Sequence, residues 1–455
     1  MSEKERLVNT LIINGSPKGQ RSVTLKTAQY LEKLHPEHTF HYLDAGAHIH
    51  ALERDFTPAQ TELAWADLIL FTYPVYTFLA PAQLHRFLEL MEENGIRLDG
   101  KAGSQITTSK HFFDTTAHAF LSENMSDFGL TTYRGLSADM SDLLSPGGQK
   151  QARDFFTRLM FEMERGMGAP PRERPAPQAA EPYAASLENQ PKKAGRKVAL
   201  VYAARETDAS LLAMMDDFER ALPYEVVRAD VSAFPFQGGC LGCLNCAQDG
   251  HCIYTDGFED FLRRQIHGCD ATVYAFPIRN HFTYPAMKMF DDRQFCNGHR
   301  TVTAGAPVGY LLSGNYADEP NLQTLLEGRA SVGGNYFCGV ATNEGDTQKS
   351  IADLAATLTM ALENGLSEPQ SFLGAGGSKI FRDLVYGMQG FMRADHQFFK
   401  EHGMYDFPQK DKKTLWGMRL VGSLMQLPAV KKKVQPRMSE YMIQPYEKVV
   451  SEAHA

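Results

Sequence analysis

The sequence predicts an α/β protein: two tandem, doubly wound parallel-sheet domains followed by a C-terminal helical extension. Three observations carry this. Short apolar strands alternate with helical patterns on both sides of a proline-rich segment, the mark of a parallel sheet covered by helices. The two sides also repeat each other in register. After Gly365 the strand pattern stops and long amphipathic helical patterns replace it.

The repeat can be followed strand by strand. Leu7–Asn14 (LVNTLIIN) matches Lys197–Tyr202 (KVALVY) at an offset of 188 residues, and Trp65–Tyr76 matches Gly268–Arg279 at 203. Ser104–Ser109 then matches Val308–Ser313 at 204, and Tyr133-Arg-Gly135 lies opposite Tyr336-Phe-Cys-Gly339. A period this long is a duplicated domain. The offset grows by 15 residues between the first and third strands, so the second copy carries an insertion there. The expected organisation is residues 1–167, a linker over 168–195 with six prolines, residues 196–365, and a helical extension over 366–455. In that extension SKIFRDLVYGMQGFMRADHQFFKEHG reads as one amphipathic helix, DKKTLWGMRLVGSLMQL as a second, and a shorter third ends near Val450.

The chain has 455 residues and a net charge of −8, which argues against general nucleic-acid binding. No apolar run approaches the roughly 20 residues needed to cross a bilayer, and the start MSEKERLVNT has no signal-peptide core. A cytoplasmic, reducing compartment is the expectation. Residues 378–437 hold twelve Lys/Arg against five Asp/Glu, leaving −15 on the rest of the chain. That basic, aromatic tail suits packing across the two halves, with membrane-surface binding as the alternative.

Directly after the first strand comes Asn14-Gly-Ser-Pro-Lys-Gly-Gln-Arg-Ser-Val-Thr24, then the helical pattern LKTAQYLEKL. A small-residue turn between strand and helix makes an anion site from backbone N–H groups and the positive helix end. Ser16, Ser22 and Thr24 add hydroxyls, Val23 sits between them, and Lys18 or Arg21 adds charge. The pattern is neither G-x-G-x-x-G nor G-x-x-x-x-G-K-[ST]. Tyr73-Pro-Val-Tyr-Thr77 and Thr108-Ser-Lys-His111 follow the third and fourth strands, where an open α/β sheet places its ligand.

NGSPKGQRSVT followed by YPVYTFLAPAQLHRF resembles the flavodoxin-like NAD(P)H-dependent FMN reductase superfamily, over about residues 6–165 and more loosely 196–365. The resemblance implies a flavodoxin-like fold for each domain. It also implies an FMN phosphate on Ser16, Lys18, Ser22 and Thr24, with Val23 among the cofactor-binding residues and Pro74, Val75, Tyr76 and Thr77 beside the ring. Ser109, Lys110 and His111 join these as cofactor-binding candidates. The arginine usual in that loop is Lys18 here, which keeps charge but loses a bidentate grip. NAD(P)H is implied as a co-substrate. In the second copy the loop reads Tyr202-Ala-Ala-Arg-Glu-Thr-Asp-Ala-Ser210, whose Glu206 and Asp208 would repel a phosphate, so no FMN is expected there.

The insertion contains GGCLGCLNCAQDGHC, with Cys240, Cys243, Cys246 and Cys252 spaced C-x2-C-x2-C-x5-C. Three thiolates at steps of three suit three corners of a [4Fe–4S] cubane; a zinc site and free redox thiols are the alternatives. The stretch also resembles the cysteine motif of iron–sulfur flavoproteins of anaerobic microbes. In that family a cluster in one subunit lies near the FMN of its neighbour, and members are commonly homo-oligomers. Here the two motifs sit on different halves of one chain, which implies an internal pseudo-dimer. Cys269, Cys296 and Cys338 read as structural. For proton transfer the candidates are His111, His118 and Tyr76, with Asp114 and His118 four apart on one helix face.

The expected function is a flavin- and [4Fe–4S]-dependent oxidoreductase. It would pass electrons between NAD(P)H or a protein donor and a small-molecule or protein acceptor. A flavodoxin/ferredoxin-like electron carrier, or an FMN/quinone reductase with a structural zinc, are the alternatives.

Overall fold

A computed structural model describes residues 7–172, 182–406 and 412–434, together with Arg437 and Gln444. The third helix of the extension, expected to end near Val450, lies outside the described residues. The first half contains β1 (Asn9–Asn14), β2 (Thr39–Leu43), β3 (Leu68–Pro74), β4 (Ala102–Ser109), β5 (Thr131–Thr132) and β6 (Leu136–Asp139). The second contains β7 (Lys197–Tyr202), β8 (Glu225–Asp230), β9 (Ala271–Pro277), β10 (Pro307–Ser313) and β11 (Tyr336–Thr342). The first sheet runs β2-β1-β3-β4-β5, with β6 also on β4; the second runs β8-β7-β9-β10-β11. Every pairing is parallel. Both sheets therefore have the order 2-1-3-4-5, in which a ligand sits beyond the carboxyl ends of strands 1 and 3. This is the flavodoxin-like order, present twice.

Side-chain alternation explains how the halves join. Leu11, Ile13, Ile69 and Phe71 of the first sheet share one core with Ala199, Val201, Phe276 and Tyr310 of the second. The intervening residues Ile12, Leu68 and Leu70, and separately Leu200, Val273 and Leu311, face two outer cores. One face of each sheet is thus spent on a common interior, and residues 1–398 form one compact unit. Within it the helices Ala82–Glu93 and Pro285–Arg293 pack on each other. They are the same element of the two copies, 203 residues apart, as in an isologous dimer interface.

The turns preceding those helices repeat down to their backbone angles. An antiparallel bridge joins Tyr76 to Leu79 and Arg279 to Phe282. Between them Thr77 and Phe78 have φ of 42° and 73°, and Asn280 and His281 have 46° and 62°. Left-handed backbone at bulky residues is costly, and the packed interface over-determines it. Lys288 Nζ donates to the Tyr76 carbonyl at 3.0 Å and pairs with Asp292, whose Oδ2 accepts from Ala82 N at 2.9 Å. Arg329 pairs with Asp291 at 2.6 Å. Lys288, Asp291 and Asp292 are buried, so these charges are tolerated only because they are paired.

The linker is less free than its prolines suggest. Of its described part, Tyr183 Oη donates to Asp217 at 2.5 Å, and the Ser186 and Leu187 amides donate to the same carboxylate. The extension also departs from expectation. The first amphipathic pattern forms two helices, Phe372–Gly387 and Arg393–Glu401, instead of one. Gly387 and Gly390 lie at the break, where glycine's backbone entropy disfavours helix. Helix Phe372–Gly387 bridges the two halves. A Cβ at Gly374 would stand 2.1 Å from Ser331 Oγ, and one at Gly377 2.7 Å from Val332 and 2.9 Å from Phe112. These glycines allow the close approach that seats Phe381 on Phe112, ring centroids 4.2 Å apart.

Candidate functional site

The site grows from the β1 carboxyl end. Asn14 ties the following loop down: its Nδ2 donates to the Gly19 carbonyl at 3.0 Å and to Asp44 at 2.8 Å, while its Oδ1 accepts from Ser16 N at 3.2 Å. Ser22 caps helix Val23–Leu34 by accepting from Leu25 N at 3.3 Å. The Val23 and Thr24 amides have no acceptor within the helix, as at any helix start. Thr24 Oγ1 meets Thr108 Oγ1 at 2.6 Å, joining the loop to the end of β4.

A cavity of about 420 Å³ opens over this loop. Ser16, Lys18, Ser22, Val23, Thr24, Pro74, Val75, Tyr76, Ser109 and Lys110 line one side of it, and Cys240, Cys243, Cys246 and Cys252 line another. The phosphate-loop and cysteine motifs, more than 200 residues apart in sequence, meet in one space. Tyr76 is the point of contact. Gly242 has φ of +58°, and a Cβ built there would lie 2.1 Å from Tyr76 Oη. That hydroxyl is buried and has no hydrogen-bond partner. Burial, with the neighbouring Cys240, Asp292 and Cys243, pushes the phenol well above its ordinary value.

Arg293 holds the cysteine loop in place. It is fully buried, pairs with Asp256 through two bonds of 2.8 Å, and donates to the Gly238 carbonyl at 2.8 Å. Its guanidinium lies 4.4 Å from the Tyr254 ring centroid. The loop's base is a cluster of Phe234, Phe236, Phe258 and Phe261. Burial pushes the Cys240 and Cys246 thiols up to about 12, so a metal binding there must displace their protons. Among the described residues no three cysteine sulfurs lie within 4.8 Å of one another. A tetrahedral zinc with bonds of ~2.3 Å holds its sulfurs about 3.8 Å apart, closer together than any three of these sulfurs stand.

Three expected residues lie elsewhere. Thr77 faces the interface, its Oγ1 3.5 Å from the Asp291 carbonyl and its own carbonyl 3.4 Å from Arg329. His111 is half-exposed and bonds Asp114 at 3.0 Å. His118 Nε2 meets Thr107 Oγ1 at 2.7 Å, and burial lowers its pKa to about 4. None of the three lines the cavity. Lys110 does, but its ammonium is held by both oxygens of Asp139, at 2.8 and 3.0 Å.

Other lining residues had no sequence signal. Cys296, read as structural, is buried yet faces the same cavity as the four clustered cysteines. His299 also lines it. Its Nδ1 bonds Asp395 at 2.9 Å, and that carboxylate is fully buried. Ile380, Phe381, Leu384, Met388 and Met392 of the extension form an apolar wall opposite Met140 and Leu144.

The equivalent place in the second half is filled differently. A cavity of about 200 Å³ is lined by Arg205, Arg279, Asn280 and Tyr284 together with His85 and Glu89 of the first half. The guanidiniums of Arg205 and Arg279 lie 4.2 and 5.8 Å from the Tyr284 ring centroid, and Tyr284 donates to Asp208. Arg205 pairs with Glu89 at 2.6 Å. Here the chain's own charges pair with one another, and the Asp208 carboxylate stands in the loop after β7.

Residues 8–145 match a family described as a flavodoxin-like fold. This segment is a flavodoxin-like domain. An iron–sulfur flavoprotein of Archaeoglobus fulgidus is 25% identical over 173 residues, covering 36% of this chain and 78% of its own. Among solved structures, an FMN-dependent NADH-azoreductase of Bacillus anthracis in complex with FMN is 18% identical over 34% of this chain and 100% of its own, with a TM-score of 0.27. The flavoenzyme NAD(P)H:(acceptor) oxidoreductase FerB of Paracoccus denitrificans is 18% identical over 36% of this chain and 100% of its own, with a TM-score of 0.30. The flavodoxin-like domain thus occupies the first part of a chain that carries the same strand order again from β7 to β11.

Proposed function

We propose that the protein is an FMN- and [4Fe–4S]-dependent oxidoreductase, working between NAD(P)H or a redox protein and a small-molecule or protein acceptor. The observation that carries this reading is the shared cavity: phosphate loop, ring-side Tyr76 and four cysteines line one space. The residues fit the two groups. Ser16, Ser22 and the amides at the helix start offer donors to a phosphate, with Lys18 beside them. A partnerless buried Tyr76 hydroxyl lies between the two motifs. Four cysteines at C-x2-C-x2-C-x5-C spacing, all lining one space, support a cubane. The Archaeoglobus fulgidus relative bears the name of a protein with both groups.

Bound FMN exchanges a hydride or single electrons, whereas a cluster passes one electron at a time. The chain's own part is to bind, enclose and supply protons. Val75 and Tyr76 give a flat apolar support, and the wall from Ile380 to Met392 excludes water. That wall supports a small apolar acceptor over a carrier lacking a substrate pocket. We assign proton transfer to His299, whose Nδ1 is fixed by Asp395 so that Nε2 is the ring nitrogen left for the cavity. His299→Gln is expected to lower turnover by about 10²-fold with iron and flavin content unchanged. Unchanged turnover would remove His299 from the reaction.

The division of labour between the halves is tested by anaerobic purification of Cys246→Ser. Loss of iron and acid-labile sulfide with FMN retained is expected. Loss of FMN alone, or zinc without sulfide in the wild type, would contradict the reading.

A further inference from the structure

Residues from Phe399 onward form a second unit, and its helix Lys412–Met425 differs from every helix described so far. Leu415, Trp416, Met418, Leu420, Val421 and Leu424 are all exposed, Trp416 at 68% and Met418 at 65%. Lys412, Arg419 and Ser423 share one narrow face at steps of seven and four residues, Lys413 stands about 100° from it in the first turn, and apolar side chains occupy much of the remaining circumference. A second helix, Pro428–Val434, follows and carries Lys431, Lys432 and Lys433. Between 412 and 434 there are six Lys/Arg and no Asp or Glu.

Solvated helices of globular proteins mix charges of both signs and keep large apolar side chains inside. This segment does neither. A fourteen-residue helix is ~21 Å long, short of the ~30 Å hydrocarbon thickness, and none of the described helices is long and apolar enough to cross a membrane. We propose that residues 412–434 dock the protein on an anionic lipid surface. The helix lies in the plane of the interface with its apolar side down, Trp416 at headgroup level, and the lysine run against lipid phosphates. Charge complementarity selects this occupant. The segment carries +6 with no acidic residue, while the chain as a whole carries −8, so an anionic bilayer attracts this segment and not the chain at large.

Co-sedimentation of the full chain with vesicles tests the proposal, using phosphatidylcholine alone or mixed with phosphatidylglycerol. The protein is expected to pellet with the mixed vesicles only, and to be released at high salt. The triple variant Lys431→Glu, Lys432→Glu, Lys433→Glu should lose more than about tenfold in partitioning, and Leu420→Glu should lose partitioning by removing apolar insertion. Unchanged circular dichroism and melting would show that both variants fold. Equal binding to neutral vesicles, or wild-type partitioning by both variants, would overturn the proposal. So would a change in oligomeric mass for Leu420→Glu with no vesicle binding by the wild type, which would make the helix a self-association surface.

Discussion

Tyr76 and Gly242 come from opposite halves of the duplication, and the cavity depends on their contact. The tyrosine hydroxyl fills the space a side chain at 242 would need, and the glycine's φ of +58° lets the cysteine loop turn away above it. Gly242→Ala therefore combines left-handed backbone, costing about 1–2 kcal/mol, with a direct clash. The expected outcome is a lower melting temperature together with less iron per chain after anaerobic purification. A variant that melts as the wild type does and holds full iron would show that this contact does not shape the loop. The glycine lies inside the cysteine motif GGCLGCLNCAQDGHC, so its neighbourhood was visible in the sequence. Its partner was not visible, because nothing in YPVYT announces which distant loop will cover the tyrosine.

At the scale of elements, the local pattern was legible wherever period and composition dominate. β7 falls on Lys197–Tyr202 as read, β3 and β9 keep the 203-residue offset, and the helix read from Leu25 begins two residues earlier, at Val23, capped by Ser22. The first helix of the extension was misread in length because its apolar period continues across Gly387 and Gly390. Amphipathic periodicity survives a break that two glycines impose on the backbone. The site residues contributed by tertiary packing escaped altogether. Cys296 and His299 lie three residues apart in one segment and Phe381 in another, 82 residues on, and the bridging helix Phe372–Gly387 sets Phe381 against His299 over the same cavity. His118 was the opposite case. It sits one helical turn from a promising carboxylate, yet burial and Thr107 account for it.

Across compact unit 1–398, duplication has been put to asymmetric use. Each copy keeps the 2-1-3-4-5 sheet and the same left-handed turn before the same interface helix. The first copy keeps an open phosphate loop. The second closes its own with Arg205, Asp208 and Tyr284 and spends an insertion on four cysteines that reach across to the first. The central claim is that electrons pass between FMN and cluster inside one molecule. A light pulse that reduces the flavin of anaerobically purified protein with EDTA as sacrificial electron donor, followed by visible spectroscopy of the cluster, tests it without choosing a physiological donor. The account expects cluster bleaching to follow flavin reduction at a rate independent of protein concentration, and to vanish in Cys246→Ser. A rate proportional to protein concentration, or a flavin that stays reduced beside an oxidised cluster, would contradict it.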